Sequence, residues 1–357
     1  MGTIIGRTRK DGTTAYLAQI LLKRKGQIVH REVQTFDRKQ AAKAWLARRE
    51  TELSDPGAFD RKNDVKLGDV IDRYVRESER EMGRTKAQVL AKIKEYEIAD
   101  LHCTEVTSPR LLEFAKSLKV QPQTRANYLS HLAAVFRVAR PLWGHPLDLQ
   151  QIQDAMVAMR KLGTIAKGNS RERRPSLEEL DRLMEHFEKI RVHRPGSAPM
   201  AKIIAFAIFS TRRQEEITRI VWADYDRTAG RVWVRDMKNP GDKKGNHVIC
   251  ELPAEAIEII ESMPRIAPEI FPYSTDAISA GFTRACQQLE INDLRFHDLR
   301  HEGVSRLFEL GKTIPQVAVV SGHRSWSSLQ RYTHLRQSGD KYVDWRWLPI
   351  VAAPSVQ

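Results

Sequence analysis

Three stretches of different hydrophobic rhythm follow one another along the 357 residues. Up to about residue 55 apolar and polar positions alternate, first over Thr14–Ile20 and again over Ile28–Phe36, with Lys25-Gly26-Gln27 as a turn between them. Asp37 then stands as an N-cap before a helix from Arg38 to Leu53, with Ala41, Ala44, Trp45 and Leu46 as its apolar face. The pattern predicts a small three-stranded sheet packed on one helix. Ser54-Asp55-Pro56-Gly57 ends it, and a basic linker runs on through Lys66.

From Leu67 to about Leu162 the period becomes helical. Val70, Tyr74 and Val75 share one face of a first helix, and Ala87 to Tyr96 forms a second. Ser108 caps a third with Pro109 at its first position. Thr124 to Arg140 forms a fourth, with Tyr128, Leu132, Val135 and Phe136 facing inward. An all-α domain of four or five helices over 65–162 is expected. Residues 163–174, with Gly163, Lys167, Gly168, Asn169, Ser170 and then Arg-Glu-Arg-Arg, have a linker's composition. Ser176 and Glu179 make a capping box that opens a third domain, 175–347, which is mostly helical with one β-rich island. Its strands are Arg231–Val234 and a run from His247 to Leu252, separated by a basic hairpin loop that holds Lys238, Lys243 and Lys244. A tail, 348–357, follows. The fold class is therefore multidomain and mainly α: a small α+β unit, an all-α unit, and a mixed, mostly α unit with a small sheet.

Charge sharpens this outline. Lys and Arg total 59 against 45 Asp and Glu, a net +14, which suits a polyanionic partner such as nucleic acid. Residues 1–50 hold 12 Lys/Arg and 4 Asp/Glu, so +8 of the excess sits in a seventh of the chain. Arg7, Arg9, Lys10, Lys23 and Arg24 are the DNA-contact candidates there, and Lys167 and Arg171 suit a strap lying on phosphates. Cys103, Cys250 and Cys286 are far apart and never form C-x-x-C, which argues against a disulfide framework and a structural zinc site. No stretch reaches the apolar length of a bilayer span and the N-terminus lacks a signal-peptide core, so a cytoplasmic protein is expected.

Cleaving a phosphodiester without a metal requires a nucleophile, positive charge around the non-bridging oxygens, and an acid for the leaving hydroxyl. The third domain offers each. His297 and Arg300 lie at i and i+3, on one face of a helix start. Taken alone, H-x-x-R reads as a solvated helix end. Gly322-His323 is followed nine residues later by Tyr332, yet a lone tyrosine on a helix is usually core. Arg213, three residues before Glu216, is either a surface ion pair or a guanidinium held ready for two phosphate oxygens.

The order of these elements carries more than any one of them. Arg213, a basic hairpin, H-x-x-R, Gly-His and Arg-Tyr-Thr-His resemble the catalytic domain of tyrosine recombinases, the lambda-integrase family, over about Ser176 to Leu335. Phe296–Arg306 and Ser321–Leu335 look most like the shufflon-type DNA-inversion subgroup. The resemblance implies that Tyr332 attacks phosphorus to form a 3′-phosphotyrosine. Arg213 and Arg300 would clamp the phosphate, His297 would assist proton transfer with the nucleophile, and His323 would bond the phosphate. Lys238 would protonate the leaving 5′-oxygen, with no cofactor or metal. One departure is Thr211-Arg212, where relatives often have glycine and an aliphatic residue. The doubled arginine allows two registers one residue apart, and Glu216 decides for Arg213.

The same resemblance makes 65–162 a core-binding domain that closes a C-shaped clamp on the duplex, with Thr124, Arg125 and Asn127 as contacts. It makes 1–55 an arm-type DNA-binding domain. Double-stranded DNA with specific sites, a homotetramer on two duplexes and accessory DNA-bending proteins are the implied partners. A type IB topoisomerase that relaxes DNA would use similar residues without an arm domain. A non-catalytic DNA-binding regulator would not need the full set of six. An RNA-binding or ribosome-associated basic protein would explain the charge but none of the spacing. The segment beyond Tyr332, with Trp345, Trp347, Leu348 and Ile350, could dock on a neighbour or cover its own core.

Overall fold

The alternating N-terminal stretch pairs into an antiparallel sheet in the order β1 (Gly2–Thr8), β2 (Thr14–Arg24), β3 (Gln27–Phe36). Tyr16 stands opposite both Gly6 and Phe36, so Tyr16, Ala18 and Ile20 share one face by the two-residue period of the strand. That face packs on α1 (Lys39–Ser54) through Ala42 and Trp45. The apolar face of α1 is therefore not the expected one: Ala41 and Ala44 are exposed, and Ala42 is buried. Alanines on both sides of the helix left its rotation open, and the large Trp45 side chain fixed it.

The computed structural model describes residues 2–9, 12–24, 27–54, 64–79, 81–168, 171–237 and 245–354. The chain divides into two units, Met1–Asn169 and Ser170–Gln357. Besides the sheet and α1, the described residues of the first unit form α2 (Leu67–Arg76), α3 (Arg84–Ile93), α4 (Ser108–Ser117), α5 (Pro122–Trp143) and α6 (Leu149–Lys161). They share a core that includes Val70, Ile71, Leu90, Phe114, Leu132, Val135 and Phe136. Val75, expected inside, is 45% exposed one residue before α2 ends, while its neighbour Tyr74 packs against that core. Thr107, not Ser108, is the residue that precedes α4. Ser108 instead donates its hydroxyl to the Gln151 carbonyl at 2.8 Å. Prolines open α4 and α5, where their missing N–H costs nothing, and Gly144 at φ 70° ends α5.

In the second unit the capping box at Ser176 and Glu179 starts α7 (Leu177–His193). All eleven residues of α8 (Met200–Ser210) are buried, which makes it the central element. Around it lie α9 (Gln214–Ile217), α10 (Ala254–Glu261), α11 (Thr275–Gln288), α12 (Phe296–Glu309), α13 (Ile314–Ser321) and α14 (Trp347–Ala352). Among the described residues the sheet has three strands, β4 (Tyr225–Asp226), β5 (Arg231–Val234) and β6 (Val248–Glu251). Two residues are too few to show a period, so β4 was invisible in the sequence. The C-terminal helix α14 covers the core of its own unit: Trp347 and Val351 are buried, and Lys202 Nζ donates to the Ala353 carbonyl at 2.6 Å. Among the described residues no helix is long and apolar enough to cross a membrane.

Candidate active site

Two close approaches bring the distant motifs together. At Gly303, on α12, a Cβ would lie 2.0 Å from the Ile208 carbonyl oxygen on α8. At Gly322, φ 71°, a Cβ would lie 2.6 Å from Met237 Cε and 3.1 Å from Cys250 Sγ. Only glycine lets α12 and the end of α13 come so near the end of α8 and the sheet.

After α8 the chain turns at Thr211, whose φ of 58° is left-handed. This is the position where a glycine would carry no strain. The turn sends the two arginines different ways. Arg212 points inward, donating to the Ser210 carbonyl at 3.1 Å, to Cys250 Sγ at 2.9 Å and to the Val320 carbonyl. Arg213 keeps a quarter of its side chain exposed and pairs with buried Glu216 at 2.5 Å. Arg212 thus serves the fold, and Arg213 is the one open to a ligand. Burial works to raise the Glu216 pKa, but Arg212, Arg300 and Arg213 outweigh it and the net shift is downward.

Arg300 rises from α12 into the same place. It donates to the Thr211 carbonyl, to the Ser321 carbonyl at 3.1 Å, and lies 3.3 Å from His323 Nε2. Burial and the neighbouring Arg213 and Arg212 push its pKa down to about 9, still cationic at neutral pH. Ser321 Oγ lies 2.7 Å from His323 Nδ1. Burial and Arg300 depress His323 to about 3, so its imidazole is neutral and can offer one N–H to an oxyanion. Three cationic guanidinia with one carboxylate between them leave an excess of positive charge that a phosphate would neutralise.

Tyr332 sits on a single 3₁₀ turn, Gln330–Tyr332, not on the helix its surroundings suggested. Its ring stacks on Phe308 at 6.0 Å and 12°, and the residue is 7% exposed. The hydroxyl meets His301 Nδ1 at 2.5 Å. His301 was missed in the sequence, although it lies four residues after His297 and hence on the same helix face. The two imidazoles are edge-on at 5.0 Å. His297 is exposed, yet partial desolvation together with nearby Arg300 and Arg213 lowers its pKa.

The adjoining face of α12 carries Asp298 and Glu302, both fully buried. Arg171 grips Asp298 at 2.7 Å and Asp293 at 2.9 Å. Arg174 grips Glu302 at 2.8 Å and Glu309 at 2.7 Å, and Lys341 and the Tyr342 hydroxyl also reach Glu302. Arg171 therefore differs from its expected part as a phosphate strap, since its donors are spent on Asp298 of α12 and on Asp293 just before it.

Residues 174–338 match the family model described as "Phage integrase family". This chain carries a phage integrase family domain. It is 30% identical over 260 residues to the shufflon-specific DNA recombinase of Escherichia coli, an alignment that covers 68% of this chain and 62% of that protein. The integrase of transposon Tn1549, solved with transposon right-end DNA, superposes with a TM-score of 0.60 at 12% identity, covering 75% of this chain and 94% of that one. A lambda integrase dimer bound to a COC′ core site gives 0.52 at 16% identity, covering 92% and 94%.

Of the other candidates, Lys10, Lys238, Lys243 and Lys244 lie outside the described residues. The described part of the integrase domain reaches Met237, just before Lys238: it pairs with Asn246 through a 2.8 Å backbone bond and packs on Gly322. Arg7 is exposed on β1, and Lys23 and Arg24 lie on β2. Arg9 is paired with Asp37 at 2.7 Å. On α5 Asn127 is exposed and Thr124 half-buried, while Arg125 turns back onto the carbonyls of Leu118 at 3.1 Å and Thr164 at 3.4 Å. Arg125 thus holds the end of α4 and is no free phosphate contact. Lys167 is exposed. Among the described residues no group of three or more His, Cys, Asp or Glu is arranged to hold a metal ion.

Proposed function

We propose that this protein is a site-specific DNA recombinase that cuts and rejoins strands through a 3′-phosphotyrosine on Tyr332. The observation that carries the reading is the convergence of Arg213, Arg300 and His323 at one point, with Tyr332 and two histidines beside it. In this scheme Arg213 and Arg300 bind the non-bridging oxygens, and neutral His323 donates a further hydrogen bond. Lys238 protonates the leaving 5′-oxygen, a role supported by the anchoring of Met237 against Gly322. We assign 1–55 to arm-type DNA binding, 65–162 to core-site binding, 163–174 to the linker and 175–347 to catalysis, acting as a homotetramer on two duplexes. The likeness to the shufflon recombinase favours inversion between two sites, followed by integration and excision as the other outcomes.

Incubation with a nicked suicide substrate and denaturing electrophoresis tests the reading. The wild type should form a covalent protein–DNA adduct; Tyr332→Phe should bind the DNA equally and form none. An adduct that persists in Tyr332→Phe would place the nucleophile elsewhere.

A further inference from the structure

The resemblance gave proton transfer with the nucleophile to His297, yet the residue that meets the Tyr332 hydroxyl is His301. We propose that His301 Nδ1 takes the phenol proton of Tyr332 as its oxygen attacks phosphorus, and returns it on religation. The inference rests on Tyr332 being the nucleophile. As the Oη–H bond breaks, the proton passes to Nδ1 and the Oη–P bond forms. The P–O5′ bond breaks, and the 5′-oxygen leaves with a proton from a separate acid. Religation reverses each transfer, so no oxidant, metal or further reactant enters.

Three features support this. The 2.5 Å contact is within the reach a general base needs before any rearrangement. His301 is held by its helix and by the edge-on contact with His297, so its ring does not have to be ordered at the moment of reaction. It also lines a cavity of about 130 Å³ together with Arg171, Glu172, Arg174, Arg331, Tyr332 and His334 among others, through which solvent can exchange the proton. The charged groups facing it are His297, Asp298 and Arg300 on its own helix, Arg331 on the tyrosine turn, and Arg171, Glu172 and Arg174 on the segment before α7. Burial, then His297 and Arg331, depress its pKa to about 4, so the ring is neutral at neutral pH and, in the tautomer protonated on Nε2, Nδ1 can accept the proton. A phosphate bound beside it would add negative charge and raise its basicity as the phenol loses its proton.

The test is single-turnover cleavage by the full-length protein at saturating DNA, for His301→Ala and His301→Gln, from pH 6 to 9. Glutamine can keep a hydrogen bond to the hydroxyl but cannot take its proton. Both variants should bind DNA as the wild type does and cleave about 10²-fold or more slowly. Their rates should climb about tenfold per pH unit as phenolate replaces phenol, where the wild type stays flat. The loss should be the same on a 5′-bridging phosphorothiolate, because the defect lies on the attacking oxygen. A His301→Gln protein that cleaves within threefold of the wild type and stays flat with pH overturns the inference while leaving Tyr332 in place. Absence of any wild-type adduct, or an adduct in Tyr332→Phe, would overturn both.

Discussion

Gly303→Ala tests whether the approach of α12 to α8 is what assembles the active site. The new methyl would lie 2.0 Å from the Ile208 carbonyl oxygen and 3.0 Å from both Ile208 C and Thr211 Cγ2. Real Cβ contacts essentially never fall below 3.0 Å, so α12 must shift by about 1 Å or bend. Two effects oppose each other. Alanine favours a helix interior over glycine by about 1 kcal/mol. Overpacking costs about 1–3 kcal/mol, towards the upper end here because the obstacle is backbone and has no other rotamer. A net destabilisation of about 1–2 kcal/mol is expected, small enough for the protein to stay folded at 25 °C. Cleavage should suffer more. Arg300 lies one turn before Gly303 on the same face and bonds the Thr211 carbonyl, so the shift separates it from Arg213. A misplacement of about 1 Å costs roughly 10²-fold, or about 2.7 kcal/mol of barrier. Urea midpoints and single-turnover cleavage with saturating suicide substrate read the two quantities separately. A Gly303→Ala protein with an unchanged or higher midpoint and cleavage within threefold of wild type would refute the reasoning.

The identity of the general acid separates by chemistry: Lys238→Ala should slow cleavage of ordinary DNA by about 10²-fold or more, and a 5′-bridging phosphorothiolate, whose sulfur leaves unprotonated, should largely restore it. Rescue of Lys244→Ala instead, with Lys238→Ala near wild type, would move the role to the loop's other lysines. Removal of residues 1–55 should flatten the dependence of log affinity on log salt by roughly 0.9 for each phosphate that the N-terminal unit had neutralised, and leave cleavage at a core site intact. A truncated protein with the full slope and an unchanged footprint would show that the basic N-terminal unit does not bind DNA on its own.

Much of the architecture was legible because it rests on local rules. The two-residue alternation before Phe36, the helical period from Leu67, and the capping box at Ser176 and Glu179 each depend on neighbours a few residues apart. The same is true of H-x-x-R, whose members share a helix face wherever the helix packs. Rotation was less legible where alanines surround a helix, as at Ala41, Ala42 and Ala44, and so was exposure at a helix end, as at Val75.

The sequence by itself determined the order of the motifs, the basic N-terminus and the choice of Arg213 through Glu216, three residues on. Tertiary structure decided what each side chain meets. It turned Arg212 inward onto Cys250 and Val320, spent Arg171 on Asp298 and Asp293, and set His301, not His297, against the Tyr332 hydroxyl. The reason is the range of the interactions. Periodicity, caps and charge spacing are fixed within one or two turns of chain, whereas those side chains meet partners 31 to 127 positions away. They meet only after Gly303 and Gly322 let α12 and α13 close on the end of α8 and the sheet.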